Sequence, residues 1–288
     1  MPPRTMRLNS DALALKTRGA RLRPCRETLN SMSGQRNFLV QQREPLFNLP
    51  TVIVALLGVL ALIHGVRDWF LTQEEDVWVL LDFAFIPARY DASVVPGGVF
   101  PGGAGADVWS FVTYAFLHGS WMHLAVNAVW LMAFGSPLAR RFGTLRFLAF
   151  FAVTAAAGAA MHLVTNAGSI APMVGASASI SGAMAATMRF AFQRGGPLGM
   201  WRNNDDDAYR VPALSLTGAF SDPRVLLFVG VWFGINILFG LWSSPLTGED
   251  QVVAWQAHIG GFLAGLLLFA WFDPAPREIE PRDDVAMH

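Results

Sequence analysis

The sequence predicts an all-α polytopic membrane protein with six transmembrane helices, and three observations carry that prediction. Hydrophobic residues make up 53% of the 288 and charged residues only 15%, with a mean hydropathy of +0.39, a profile far from that of a water-soluble domain. Six long apolar runs recur, at about residues 50–66, 111–134, 145–163, 177–192, 225–242 and 252–271. Most approach the ~20 residues that cross ~30 Å of hydrocarbon as a helix, which satisfies its own backbone hydrogen bonds where water is absent. The tail before the first run and the connections after the second and fourth are basic, and those after the first and fifth are acidic.

Residues 1–46 read as a basic tail in which nine residues, Arg4, Arg7, Lys16, Arg18, Arg21, Arg23, Arg26, Arg36 and Arg43, stand against three acids. It is too long and too Arg-scattered for a cleaved signal peptide and is expected to be disordered, with Met32 as an alternative start. It holds the sole cysteine, Cys25, so neither a disulfide framework within the chain nor a cysteine metal cluster can form. A net charge of zero gives no reason to expect a nucleic-acid partner. The six-helix domain is expected over 47–272, followed by a short tail at 273–288.

After helix 1 comes a stretch, 68–107, that mixes acids with VWVLLDFAFIPARY and VVPGGVFPGGAGAD. Proline and glycine break it too often for a spanning helix, and its apolar content suits the outer interface, with Trp69, Trp78 and Tyr90 at headgroup depth. Helix 2 carries YAFLHGSWMHLAVNAVWL and ends in the basic turn ARRFGTLR, after which comes the apolar run of helix 3. Helix 4 opens with VGASASISGAMAA and is followed by a linker, RGGPLGMWRNNDDDAYRVPALSLTGAFSDPR, whose adjacent aspartates read as a solvated cluster rather than a metal site. Helix 5 leads through the acidic TGEDQ into helix 6, AWQAHIGGFLAGLLL. By the excess of Lys and Arg in the tail, the 2–3 turn and the 4–5 linker, both termini are expected to be cytoplasmic and the connections after helices 1, 3 and 5 to face outward. No repeat of 20–50 residues is present.

Polar side chains inside a membrane helix are expensive, so each is a candidate for function. His123 and Asn127 lie four apart and share a face near the outward end of helix 2, where two donors aimed at one point suit a polarising site. His118, five residues earlier and about 140° round a helix, belongs to a different contact. Along helix 4, Ala178, Gly182 and Ala186 form a small-residue stripe, matched on helix 6 by Ala257, Gly261 and Gly265. Such stripes let helices approach closely. That approach carries Ser177, at the outward end of helix 4, toward His258, near the outward start of helix 6. Serine beside histidine is the pairing of a nucleophile with a general base. Ser179 and Ser181 read as packing residues: Ser179 points about 200° away from Ser177, and Ser181 lies a turn deeper.

These residues resemble the rhomboid family of intramembrane serine proteases. HGSWMHLAVN is similar to the family's helix 2 motif, GASASISG to its nucleophile motif, and AHIGGFLAG to its helix 6 motif, in the right order from helix 1 through helix 6. The long interfacial stretch and Trp109 fit as well. The resemblance implies a six-transmembrane-helix rhomboid bundle in which Ser177 is the nucleophile and His258 the base, a dyad with no third acid. It implies an oxyanion site from Ser177 N–H, His123 and Asn127, a shaping role for Gly175 in the loop that feeds the nucleophile, and a structural role for His118. Two positions depart from the family pattern. Ala178 stands where a glycine follows the nucleophile, so its methyl is expected to press helices 4 and 6 apart, and Ala139 replaces a common acid after helix 2.

The implied activity is endopeptidase cleavage of the transmembrane helix of a single-pass protein near the outer face, without cofactor or metal. The expected partners are that substrate and the lipid bilayer, in a bacterial inner (cell) membrane; nothing in the sequence sets an oligomeric state. The alternative is a proteolytically inactive relative that binds membrane clients, which would have no use for both Ser177 and His258. A transporter fits poorly, because transporters carry inverted repeats or midplane charges.

Overall fold

The computed structural model describes residues 49–94, 100–198, 206–247 and 254–274. The basic tail expected at 1–46 and nearly all of the tail at 273–288 lie outside the described residues. Ten α-helices are found among them: α1 Thr51–Trp69, α2 Gln73–Phe83, α3 Gly103–Thr113, α4 Trp121–Trp130, α5 Ser136–Phe142, α6 Thr144–Thr165, α7 Ser177–Ala191, α8 Leu216–Ser221, α9 Pro223–Thr247 and α10 Trp255–Phe272. A π turn, Leu131–Gly135, joins α4 to α5 without interruption. No strand is present among the described residues, and one isolated bridge pairs Phe85 with Met173.

The six expected spans fall on α1, α4–α5, α6, α7, α9 and α10. Four of these segments, Thr51–Trp69, Trp121–Phe142, Thr144–Thr165 and Trp255–Phe272, are long and apolar enough to cross a bilayer. In α9 the stretch Pro223–Leu238 is apolar but shorter, and α7 has only 15 residues. The lipid-facing surfaces show it too: Leu62, Leu145, Val164, Leu227 and Trp271 are exposed, where a soluble protein would bury them. The chain is a helical, polytopic integral membrane protein.

Helix 2 is corrected at both ends. Its run was expected over 111–134, but α3 ends at Thr113, a 3₁₀ turn follows at Tyr114–Phe116, and the next helix begins only at Trp121. Ser120 caps that start, its hydroxyl accepting from His123 N–H at 3.2 Å, and satisfies a donor that a helix start leaves unpaired. At the other end the helix runs on to Phe142, so Arg140 and Arg141 belong to it and not to a loop. Arg141 is buried: it pairs with Asp273 at 2.8 Å, donates to the carbonyls of Tyr209 and Val211, and lies over the Phe190 ring. Arg189, read as part of the 4–5 linker, is likewise buried inside α7 and donates to Leu214 O at 2.7 Å. Both guanidiniums are tolerated because several carbonyls and a carboxylate satisfy them at the helix ends far from Ser177.

The interfacial stretch forms α2 and α3. A capping box starts α2, with Thr72 Oγ1 accepting from Glu75 N–H and the Glu75 carboxylate accepting from Thr72 N–H at 2.8 Å. Those hydrogen bonds hold the Glu75 carboxyl below its ordinary range. Trp69 and Trp78 are exposed, as interface residues should be. At the opposite face, Asp222 and Pro223 open α9 as cap and first residue: Asp222 accepts from Arg224 N–H at 2.9 Å.

At the centre α6, α7 and α10 meet backbone to backbone. A Cβ on Gly261 would lie 2.6 Å from the carbonyl carbon of Ala178, and one on Gly265 would lie 2.5 Å from Gly182 Cα. Both values are below any real carbon–carbon contact, so hydrogen at these positions is what lets α10 seat on α7. The Ala178 methyl does not press on α10 as expected. It points at α6, where a Cβ on Gly158 would collide with it. Three helices rather than two surround this position, and the glycine that makes room stands on the third.

Candidate active site

Ser177 is the first residue of α7, and the loop before it is fixed from two sides. Phe85 and Met173 exchange backbone hydrogen bonds of 3.1 and 2.8 Å, and Ala88 N–H donates to Ser169 O at 2.9 Å. These bonds tie residues 169–173 to the interfacial segment. Gly175 N–H donates to Tyr114 O at 3.0 Å, and the buried Tyr114 hydroxyl donates to Ala155 O on α6 at 2.9 Å. Gly175 has φ +116°, a region disfavoured for L side chains, and a Cβ there would lie 2.7 Å from His123 Nε2. Only glycine lets the loop pass over the imidazole.

His258, in the first turn of α10, meets Ser177 across 81 residues of sequence: its Nε2 lies 2.7 Å from Ser177 Oγ. Both side chains are half-buried, and so is His123. The other serines are occupied elsewhere. Ser179 Oγ donates to Phe151 O at 2.8 Å and Ser181 Oγ to Ser177 O at 2.7 Å, and both residues are buried.

Two groups of predicted residues therefore stand close together: Ser177 with His258, and Gly175 with His123 and Asn127. The buried Asn127 amide spends one N–H on His123 O at 3.0 Å, while Nδ2 lies 3.8 Å from the point where a Gly175 side chain would begin. The N–H of Ser177, as the first residue of a helix, has no acceptor within that helix. The Ser177 N–H and the His123 and Asn127 side chains beside Gly175 thus stand one residue either side of Ala176.

His118 occupies the irregular turn before α4, not a helical position, so the angular argument made from the sequence does not apply to it. Its buried ring packs edge-on against His123 at 5.1 Å between centroids, and its carbonyl accepts from Arg67, which also pairs with Asp76 at 2.7 Å. The ring nitrogens of His118 and His64 have no hydrogen-bond partner among the described residues. Both rings line a polar cavity of about 240 Å³ with Arg67, Asp68, Thr72 and Asp76.

One residue was missed. Asn236, buried on α9, places Oδ1 2.6 Å from His258 Nδ1. The signal was a single polar side chain inside GVWFGINILFG, which the cost of polar groups in hydrocarbon should have marked. No group of three or more His, Cys, Asp or Glu residues able to hold a metal occurs among the described residues.

A helical membrane protein with a serine and histidine hydrogen-bonded across two tightly packed helices defines a narrow class. A family profile for the Rhomboid domain matches residues 105–273, and the chain belongs to the rhomboid family. It is 26% identical over 204 residues to Rhomboid-like protease 3 of Toxoplasma gondii, a match covering 70% of this chain and 64% of that protein. It is 29% identical over 160 residues to RHOMBOID-like protein 5 of Arabidopsis thaliana, covering 56% and 42%. It is 26% identical over 162 residues to Rhomboid protease GlpG of Haemophilus influenzae, covering 56% and 68%. The chain thus spans less than two thirds of the first two.

Proposed function

We propose that this protein is an intramembrane serine endopeptidase that cleaves the transmembrane helix of single-pass proteins near the outer face. The observation that carries this reading is the 2.7 Å contact between Ser177 Oγ and His258 Nε2. That distance is within the reach a general base needs, between groups whose helices seat backbone to backbone.

His258 Nε2 takes the Ser177 hydroxyl proton as Oγ attacks the scissile carbonyl carbon, and the carbonyl electron pair moves onto oxygen. Ser177 N–H, His123 and Asn127 receive that oxyanion, each such donor being worth roughly 3–4 kcal/mol in the transition state. Collapse breaks the C–N bond, and the leaving amine takes the proton from His258. Water, activated by the same nitrogen, then attacks the acyl-enzyme, releasing the acid and restoring the Ser177 hydroxyl. The polar cavity lined by His64 and His118 supports a water-filled approach to this region from the side on which α1 ends. The small residues around Ser177 suit a small side chain at the cleaved residue. By charge distribution the protein sits in a cell membrane with both termini cytoplasmic, so the site opens outward.

The test is labelling by a fluorophosphonate together with cleavage of a single-span reporter. Ser177→Ala abolishes both, His258→Ala abolishes cleavage, and Ser179→Ala and Ser181→Ala keep at least part of both. Labelling that survives Ser177→Ala would sink the nucleophile assignment. Wild-type protein that never labels or cleaves favours the alternative, an inactive client-binding member of the family.

A further inference from the structure

We propose that Asn236 of α9 is a positioning residue that fixes His258 in the tautomer the reaction needs, making the site a Ser177–His258–Asn236 relay spread over three helices. The proposal rests on the protease reading and adds to it the group that orients the base.

An imidazole has two nitrogens, and only one can hold the proton in its neutral form. If the proton sat on Nε2, His258 could not accept from Ser177. What decides the tautomer is the partner of Nδ1, and that partner is Asn236 Oδ1 at 2.6 Å. Which atom of the amide faces His258 is settled by the other end. Asn236 Nδ2 lies 2.8 Å from Trp232 O, one turn earlier on α9. A carbonyl accepts and cannot donate, so the amide nitrogen must face Trp232 and the amide oxygen must face His258. Oδ1 accepts only, so Nδ1 carries the hydrogen and Nε2 presents its lone pair to Ser177 Oγ at 2.7 Å. The chain of donors and acceptors admits one assignment, and it is the productive one.

The placement also explains why this position is polar. α9 buries a narrow stripe, Val225, Trp232 and Asn236, while Leu227, Val231, Ile235, Ile237 and Leu238 are exposed. An asparagine on the inner stripe of an otherwise apolar helix is expensive unless both ends of its amide are satisfied, and here both are. A neutral amide also orients the ring without adding a charge to a site surrounded by hydrocarbon. Trp232, which accepts the Asn236 amide through its carbonyl, stacks its ring on Phe262 of α10 with centroids 4.5 Å apart. The seat of α9 on α10 and the orientation of the base are therefore set by adjacent turns of the same two helices.

The test compares wild type with Asn236→Ala and Asn236→Asp in purified, detergent-solubilised full-length protein. Asn236→Ala is expected to lower kcat for reporter cleavage on the order of 10²-fold with KM unchanged, as expected for a base that is present but unoriented. Asn236→Asp keeps an acceptor facing Nδ1 but sets its second oxygen against Trp232 O, and is expected to recover part of that loss. An independent readout is the ring-nitrogen NMR spectrum of His258, identified by its loss in His258→Ala: wild type shows a protonated Nδ1, and Asn236→Ala shows exchange between tautomers. Cleavage by Asn236→Ala at the wild-type rate, or a spectrum unchanged by that substitution, overturns the proposal while the protease reading stands. If wild type neither labels nor cleaves, the protease reading falls, and the spectrum alone then decides whether Asn236 fixes the tautomer.

Discussion

Gly261→Ala should separate the reacting groups by a calculable distance. The new Cβ would be born 2.6 Å from Ala178 C and 3.0 Å from Ala178 Cα, whereas carbon atoms rest about 3.5 Å apart. The Ala178 carbonyl oxygen is nearer still; this obstacle is backbone at the start of α7 and cannot rotate away, so α10 must retreat by at least about 0.9 Å locally. Gly261 is three residues from His258, less than one turn, so His258 moves with it. The 2.7 Å contact with Ser177 then opens to about 3.6 Å or more, which is no longer a hydrogen bond. A displacement near 1 Å typically lowers a rate about 10²-fold, and overpacking destabilises by about 1–3 kcal/mol. The assay is reporter cleavage and fluorophosphonate labelling, with melting followed in parallel. Gly58→Ala on α1 is the control, because no atom lies within 4 Å of a Cβ there. Cleavage by folded Gly261→Ala within about threefold of wild type would refute the claim that close seating of α10 on α7 sets the Ser177–His258 distance.

Two further outcomes are expected. Ala178→Gly removes a methyl seated against Gly158 and should leave cleavage near wild type while lowering stability by about 1 kcal/mol, whereas Ala178→Leu abolishes cleavage; full activity in the leucine variant would show that α6 and α7 do not meet there. Reporter fusions should place residue 246 outside and residue 286 in the cytoplasm, and the reverse pattern would remove the argument for an outward-facing site.

The helices were legible because hydropathy over about 20 residues averages out local detail. The break before α4 was not, because 117–120 carries only Gly119 and Ser120 as interruption and the surrounding residues are apolar. Its signal was local: a serine three residues before His123 can cap a helix whatever the hydropathy around it. Ser177, His258, His123 and Asn127 could be singled out because polar residues in such runs are rare and because their spacing suggested shared faces. Asn236 shares no helix with its partner, and only the rotation of α9 against α10 brings it to His258. The direction of the Ala178 methyl needed the position of a third helix, α6, for which a stripe of small residues on two helices holds no information. What one helix determines by itself could be read; what three helices determine together could not.

The length of α7 connects the fold to the chemistry. Its 15 residues rise about 22 Å, some 8 Å less than the hydrocarbon thickness a spanning helix must cover. Every residue after Ser177 is buried, so protein surrounds the helix, and its serines, glycine, threonine and arginine meet packed neighbours instead of acyl chains. The missing length is made up by the irregular loop 166–176, pinned at Ser169, Met173 and Gly175 by backbone hydrogen bonds. Non-helical backbone at membrane depth persists only where protein encloses it or where it borders water. A helix that stops short therefore leaves its first N–H groups without acceptors inside the helix beside Ser177, which is where the proposed reaction needs them. A spanning helix of ordinary length would have consumed those donors in its own hydrogen bonds.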